Sequence, residues 1–156
     1  MDALTASIRA VDPLEPAILP LIDRHLTLMR ASSPACSVHA MEAADLADAG
    51  AQFFAAFDGD TPVAMGALKR ITQEHGELKS MHVLSTRRGT GLADAILTRL
   101  TDEAKAAGMT RVSLETGSQP PFAAARAFYT RHGFAFCPPF EGYVEDPHSV
   151  FMTKEL

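Results

Sequence analysis

Arg87-Arg88-Gly89-Thr90-Gly91-Leu92-Ala93 is a basic turn broken by glycines, set between an extended apolar run, 77–83, and an amphipathic stretch that begins at Leu92. Glycine removes the side chains that would hold a ligand off the backbone, so consecutive N–H groups can converge on one anion. A helix that starts immediately afterwards adds its own unpaired N–H groups and the positive end of its dipole. These residues suit the holding of a phosphate. Glu77, at the head of the preceding extended run, places an acid–base group beside that cradle.

Three glycine-loop patterns compete for this segment. A P-loop needs a Lys-Ser or Lys-Thr after its last glycine, and none follows here. A dinucleotide fingerprint needs a third small residue where this chain has Asp94, whose charge would repel a pyrophosphate. What remains is Arg88-x-x-Gly91-x-Ala93, which taken alone also describes a solvated turn ahead of a helix. A second segment lies downstream, Ala127-Phe128-Tyr129-Thr130-Arg131-His132-Gly133-Phe134. The first pattern resembles the R/Q-x-x-G-x-G/A loop of the GNAT N-acetyltransferase superfamily, and the second resembles its L-Y-x-x-x-G-F segment. The order strand, loop, helix, strand, helix between 77 and 132 fits as well. The likeness runs from about residue 75 to the end, while the N-terminal half matches only in its order of elements.

That resemblance implies acetyl-CoA as cosubstrate, with no metal. Arg88, Gly89, Thr90, Gly91, Leu92 and Ala93 would hold its pyrophosphate. Met81, His82 and Val83 would pair with pantetheine as an added strand, the Met81 amide bonding the acetyl carbonyl beside a bulge that opens the sheet. Tyr129 would sit at the sulfur. A phenol, with an ordinary pKa of about 10, can pass a proton to a departing thiolate, so Tyr129 is the candidate general acid. Glu77 is the candidate general base, against a plainer reading as a solvated carboxylate paired with Lys79. The family often has an asparagine seven residues before the tyrosine. Phe122 stands there in this chain, which removes one pantetheine contact and alters the acyl pocket.

The expected reaction is acetyl transfer to a primary amine, small molecule or peptide, by direct attack in a ternary complex. The acceptor would enter between the 31–40 and 138–148 loops. A homodimer stays open. Two rivals do as well: a non-catalytic coenzyme A-binding or regulatory module of the same fold, and a nucleotide-binding domain.

Composition narrows the class. A chain of 156 residues reads as one domain, 1–156, long enough to bury roughly two-thirds of its unfolded surface. Net charge is −5 with both signs interspersed, which argues against a nucleic-acid partner. No run approaches a membrane span, and the N-terminus lacks a secretory pattern, so the expected location is the cytoplasm. Cys36 and Cys137 are then read as free thiols. The six histidines include no i, i+4 pair and neither cysteine joins a metal spacing. Cys36 with His39 lacks any supporting nucleophile signature. Glu141, Tyr143, Glu145 and Asp146 make an acidic, aromatic loop that could attract a cationic amine.

Several elements must position these groups. A strand is expected at 5–10, then a helix from Asp12-Pro13 to about Arg30, carried by Ile18, Leu21, Ile22, Leu26 and Met29 at near-helical spacing. A short helix at 41–48 precedes strands at 52–57 and 62–71, joined by the turn Asp58-Gly59-Asp60. After the strand 77–83, Leu92, Ile96 and Leu100 line one face of a helix that ends at Ala107-Gly108. A strand at 111–115, a helix at 122–131 and strands at 135–137 and 149–152 follow. The expected fold is α/β (α+β): a GNAT-like mixed, mostly antiparallel sheet of six to seven strands flanked by about four helices.

Overall fold

Strand pairing organises the chain into one seven-stranded sheet in a computed structural model that describes residues 7–156. The strands are β1 (Ser7–Ala10), β2 (Gln52–Asp58), β3 (Thr61–Arg70), β4 (His75–Val83), β5 (Arg111–Gly117), β6 (Ala135–Cys137) and β7 (Ser149–Glu155). Their order is β1-β2-β3-β4-β5-β7-β6, and every neighbouring pair is antiparallel except β4–β5. Four α-helices accompany them: α1 (Leu19–Ser32), α2 (Ala43–Asp48), α3 (Leu92–Ala106) and α4 (Ala123–Arg131). This is the mixed, mostly antiparallel architecture that the sequence implies. Of the expected first strand, residues 5 and 6 lie outside the described residues.

The start of α1 differs from expectation. Asp12 does not open the helix; its Oδ1 accepts from the Leu14 N–H at 2.9 Å and its carbonyl from the Glu15 N–H at 2.9 Å, which closes a separate turn. Pro16 disfavours helical backbone at Glu15 and has no N–H to give. Helix begins only at Leu19, where Pro20 falls in the first turn and its missing N–H is no loss.

Side-chain alternation sorts the core onto two faces of the sheet. Leu78 and Leu114 join Leu92, Ile96, Leu100 and Tyr129 in the core beneath α3 and α4. Ile18, Leu21, Ile22 and Leu26 of α1 and its approach pack with Phe53, Ala55, Met65 and Ala67 on the other face. The neighbours of Leu78 in β4, Glu77 and Lys79, and the neighbours of Leu114 in β5, Ser113 and Glu115, therefore point toward the α1 side.

The ladder between β3 and β4 is irregular at one point. Between the pairs Met65↔His82 and Ala67↔Lys79, β3 advances two residues while β4 advances three. The extra residue is a bulge at Ser80–Met81, opposite Gly66. Gly66 makes room there: a Cβ would lie 2.7 Å from Ile96 Cγ2, 2.8 Å from Met81 Sδ and 2.9 Å from Leu100 Cδ1, so these side chains would have to shift. Among the described residues, no helix is long and apolar enough to cross a membrane.

Gly66→Ala should therefore overpack the seam between α3 and the bulge, lowering stability by about 1–3 kcal/mol in urea or thermal unfolding. Unchanged stability would mean that the bulge is not held against α3.

Candidate active site

β4 and β5 pair only at His75↔Arg111, Gly76↔Val112 and Glu77↔Ser113. Beyond those pairs the strands part. The bulge lies just past the parting, with Ser80 at φ 58, a left-handed conformation that strains a non-glycine residue by about 1–3 kcal/mol. Met81, His82 and Val83 have no pairing partner on β5, so their backbone groups on that side face open space. The Ser80 hydroxyl is buried and has no hydrogen-bond partner among the described residues.

A groove of about 500 Å³ runs from this gap to the start of α3. Met81, His82, Val83, Arg88, Gly89, Gly91, Leu92 and Ala93 all line it, so the structure brings the predicted cofactor residues together, with one exception. Thr90 turns back and donates its hydroxyl to the Arg87 carbonyl at 2.5 Å. Gly89 and Gly91 adopt φ of 77° and 87°, conformations that favour glycine. Gly91 is the N-cap of α3 and no side chain caps that end, which leaves the first N–H groups of the helix for a ligand. The two arginines differ. Arg87 is held by Asp58 at 2.8 Å, whereas Arg88 is exposed and has no ion-pair partner among the described residues. Asp94 lines the groove too; His132 Nε2 meets its Oδ1 at 2.6 Å and Arg131 lies 3.6 Å away. The hydrogen bond from His132, more than any charge, holds that carboxyl below its usual range.

On the other side of the gap lies a cavity of about 160 Å³. Glu77 lines it and is only 2% exposed, so it is no solvated strand-end carboxylate. Its Oε2 accepts from Lys79 Nζ at 3.2 Å and from Tyr143 Oη at 2.5 Å, and Lys79 Nζ also reaches Tyr143 Oη at 3.0 Å. Burial, and then the charge of Glu77, pushes the Tyr143 hydroxyl well above the ordinary phenol range, so it stays a donor. Tyr143 stacks edge-on against His39, and Ser37 Oγ donates to Asp146 Oδ2 at 2.6 Å. These contacts latch the 138–148 loop to the segment after α1 across the cavity.

Glu115, which belongs to no motif in the sequence, lines the same cavity. Burial pushes its carboxyl up to about 7; the Ser149 hydroxyl and Lys79 oppose this, and Glu77 and Asp146 add to it. Its one signal in the sequence is an acid at an inward-alternating position of a strand otherwise reading Val-Ser-Leu.

Tyr129, on α4, joins the two spaces. It lines both the groove and the cavity, as do Met81 and Ala125. The residue is 7% exposed, its ring packs against Phe128 and Phe134, and its hydroxyl has no hydrogen-bond partner among the described residues. Burial raises it far above an ordinary phenol, so it holds its proton. Phe122 sits on Gly117, where any Cβ would collide with its ring, and it fills part of the cavity wall. Neither cysteine is disulfide-bonded, and the exposed Cys36 sits outside both spaces. Among the described residues, no group of three His, Cys, Asp or Glu side chains could hold a metal ion.

A buried pair links the two walls. His25 of α1 and His82 of β4 face each other through their Nδ1 atoms at 3.2 Å, so one ring donates and the other accepts. Burial lowers both from 6.5 to about 4, aided for His25 by His82 and for His82 by Arg88 and Arg24. His25 occupies a place on the apolar stripe of α1, between Ile22 and Met29, which is the signal that could have marked it.

Comparison with known proteins agrees with this geometry. The acetyltransferase (GNAT) family model matches residues 19–134. YsnE of Bacillus subtilis, named an uncharacterized N-acetyltransferase, is 41% identical over 139 residues, 89% of this chain and 92% of that protein. YedL of Escherichia coli, named likewise, is 37% identical over 150 residues, 96% of this chain and 94% of that one. A crystal structure from Klebsiella pneumoniae, described as an acyl-CoA N-acyltransferase, superposes with a TM-score of 0.79 at 26% identity, covering 97% of both chains.

The histidine pair predicts a pH dependence of stability. Both folded-state values lie below the unfolded value, so the unfolded chain binds more protons between pH 6.5 and about 4. The contribution is whole above 6.5 and is lost as pH falls through that window. Urea midpoints should drop from pH 7 to pH 4.5, and less steeply in His25→Asn; equal slopes would contradict the pairing.

Proposed function

The chain belongs to the GNAT family of acetyl-CoA-dependent acyltransferases, and on that footing we propose that it acetylates a primary amine by direct attack in a ternary complex. The observation that carries this reading is the meeting of the cradle groove and the carboxylate-lined cavity at one buried, proton-bearing hydroxyl, that of Tyr129.

The residues present fit acetyl-CoA. An uncapped helix N-terminus, left-handed glycines and the unpaired Arg88 suit a diphosphate. The unpaired edge of Met81–Val83 suits an extended amide arm, and Tyr129 lines the same groove. When bound, this cosubstrate supplies an activated acetyl group on a thiolate leaving group.

The chain's own groups do the rest. The Met81 N–H, already oriented on the splayed edge, donates to the acetyl oxygen as negative charge gathers there. Tyr129 Oη gives its proton to the leaving sulfur. A carboxylate of the cavity, Glu77 in the expectation from sequence, takes a proton from the incoming ammonium. Glu77 and Glu115 outnumber Lys79 among the charged residues of the cavity wall, which favours a cationic amine. The Ser37–Asp146 bond ties the 138–148 loop to the segment after α1 on that side.

A screen of primary amines with acetyl-CoA, read by released thiol, tests the reading: transfer to some amine is expected. Tyr129→Phe should lower kcat about 100-fold with little change in acetyl-CoA affinity. Gly91→Asp should abolish binding, because it puts bulk and charge at a position of φ 87 in the cradle. Wild-type affinity in Gly91→Asp would remove the diphosphate from this turn, and full turnover in Tyr129→Phe would remove that hydroxyl from the chemistry.

A further inference from the structure

We infer that Glu115, and not the Lys79-paired Glu77, takes the proton that the acceptor's ammonium must lose before its nitrogen can attack, an assignment that rests on the acetyltransferase reading. The cavity holds two carboxylates on one face of the sheet, and they are bonded differently. Glu77 Oε2 already receives two donors, Lys79 Nζ and Tyr143 Oη, and its charge is matched by the ammonium 3.2 Å away. The Glu115 side chain makes no ion pair among the described residues, the one hydroxyl that weighs on its carboxyl is that of Ser149, and it is half-buried.

Position supports the same division. Glu115 lies two residues beyond Ser113, the last β5 residue paired with β4, so it stands where the strands have begun to part. Leu114, next to it, packs beneath α3 and α4, which turns Glu115 to the face that Glu77 and Lys79 share. Both it and Tyr129 line the one cavity. The titratable groups lining that space with it are Glu77 and Lys79 from β4, Tyr143 from the 138–148 loop, His25 from α1, His39 from the segment after it and Tyr129 from α4, while Asp146 and the Ser149 hydroxyl act on Glu115 from outside the lining. Among them Lys79 favours the ionised Glu115, whereas Glu77 and Asp146 oppose it. With its carboxyl pushed up to about 7, Glu115 is ionised in an appreciable fraction at neutral pH yet holds a proton well.

The proton inventory closes. One ammonium proton passes to a Glu115 carboxylate oxygen and leaves a lone pair on nitrogen. The C–N bond forms as the C–S bond of the thioester breaks. Tyr129 gives its proton to the leaving sulfur and recovers the second nitrogen proton. Glu115 then releases its proton to solvent, one per acetyl group transferred.

The test is kcat/KM against pH, from 5.5 to 9, together with carboxyl titration by NMR of protein carrying 13C-labelled glutamate. Wild type should rise with pH through about 7 and level off. Glu115→Gln should lose about 100-fold at pH 8, keep its acetyl-CoA affinity and lack that rise. Glu77→Gln should keep the rise. In the unliganded wild type, one glutamate carboxyl should titrate near neutrality, and it should be missing from Glu115→Gln. If Glu115→Gln fails to fold, Glu115→Asp should retain the rise at reduced kcat, and the wild-type NMR titration stands without any variant. Wild-type kcat/KM with an unaltered pH profile in Glu115→Gln, or no glutamate titrating above the ordinary carboxylate range, would overturn the assignment and leave the acetyltransferase reading intact. Absence of transfer by the wild type would overturn both.

Discussion

Parallel pairing between β4 and β5 ends after three residues, and the site depends on that ending. A parallel ladder that continued in this register would have set Lys79 beside Glu115 and Met81 beside Gly117 and sealed the sheet. The extra residue at Ser80–Met81 turns β4 away, Ser80 is held left-handed, and a buried hydroxyl there stays without a partner among the described residues. Strain and an unmet polar group persist only where packing over-determines them. Here Gly66 admits Met81, Ile96 and Leu100 against the bulge, and α3 fastens it. The same helix carries the cradle at its N-terminus, so the element that enforces the opening also presents the anion site beside it.

Opening the sheet lets two opposed environments meet. The α3 side offers unpaired N–H groups and an exposed guanidinium, and the α1 side offers carboxylates. Acids lie close to both, and each is managed differently. Asp94, on the groove wall, is bonded by His132 and lies near Arg131 at the end of α4. Glu77 is buried yet matched by Lys79 and Tyr143. Glu115 has no ion-pair partner of its own, and burial outweighs the Ser149 hydroxyl and Lys79 in setting its behaviour. Tyr129 stands between them as a proton held in an apolar wall.

The cradle is legible in the sequence because its parts are local: two glycines, an arginine and a helix start within seven residues. Tyr129 comes with the second motif, and the strand 77–83 runs directly into the first. The fold class follows from strand and helix periodicity together with the family likeness. What does not show is anything assembled across the sheet. Glu77 reads as a strand-end carboxylate until Tyr143, 66 positions away, folds over it. Glu115 looks like one polar residue in a strand until the parting of β4 and β5 exposes it to the cavity, and His25 stands out only when His82 faces it. The start of α1 is misleading in sequence because Asp-Pro signals a helix locally, whereas Pro16 three residues later confines that signal to a turn.

A crystal structure of the protein soaked with acetyl-CoA probes this arrangement most directly. The expected density has the diphosphate on the N–H groups of residues 88–93, the pantetheine arm along the free edge of Met81–Val83, and the sulfur within hydrogen-bond reach of Tyr129 Oη. Density elsewhere, or a thioester turned away from Tyr129 with β4 and β5 closed against each other, would contradict it.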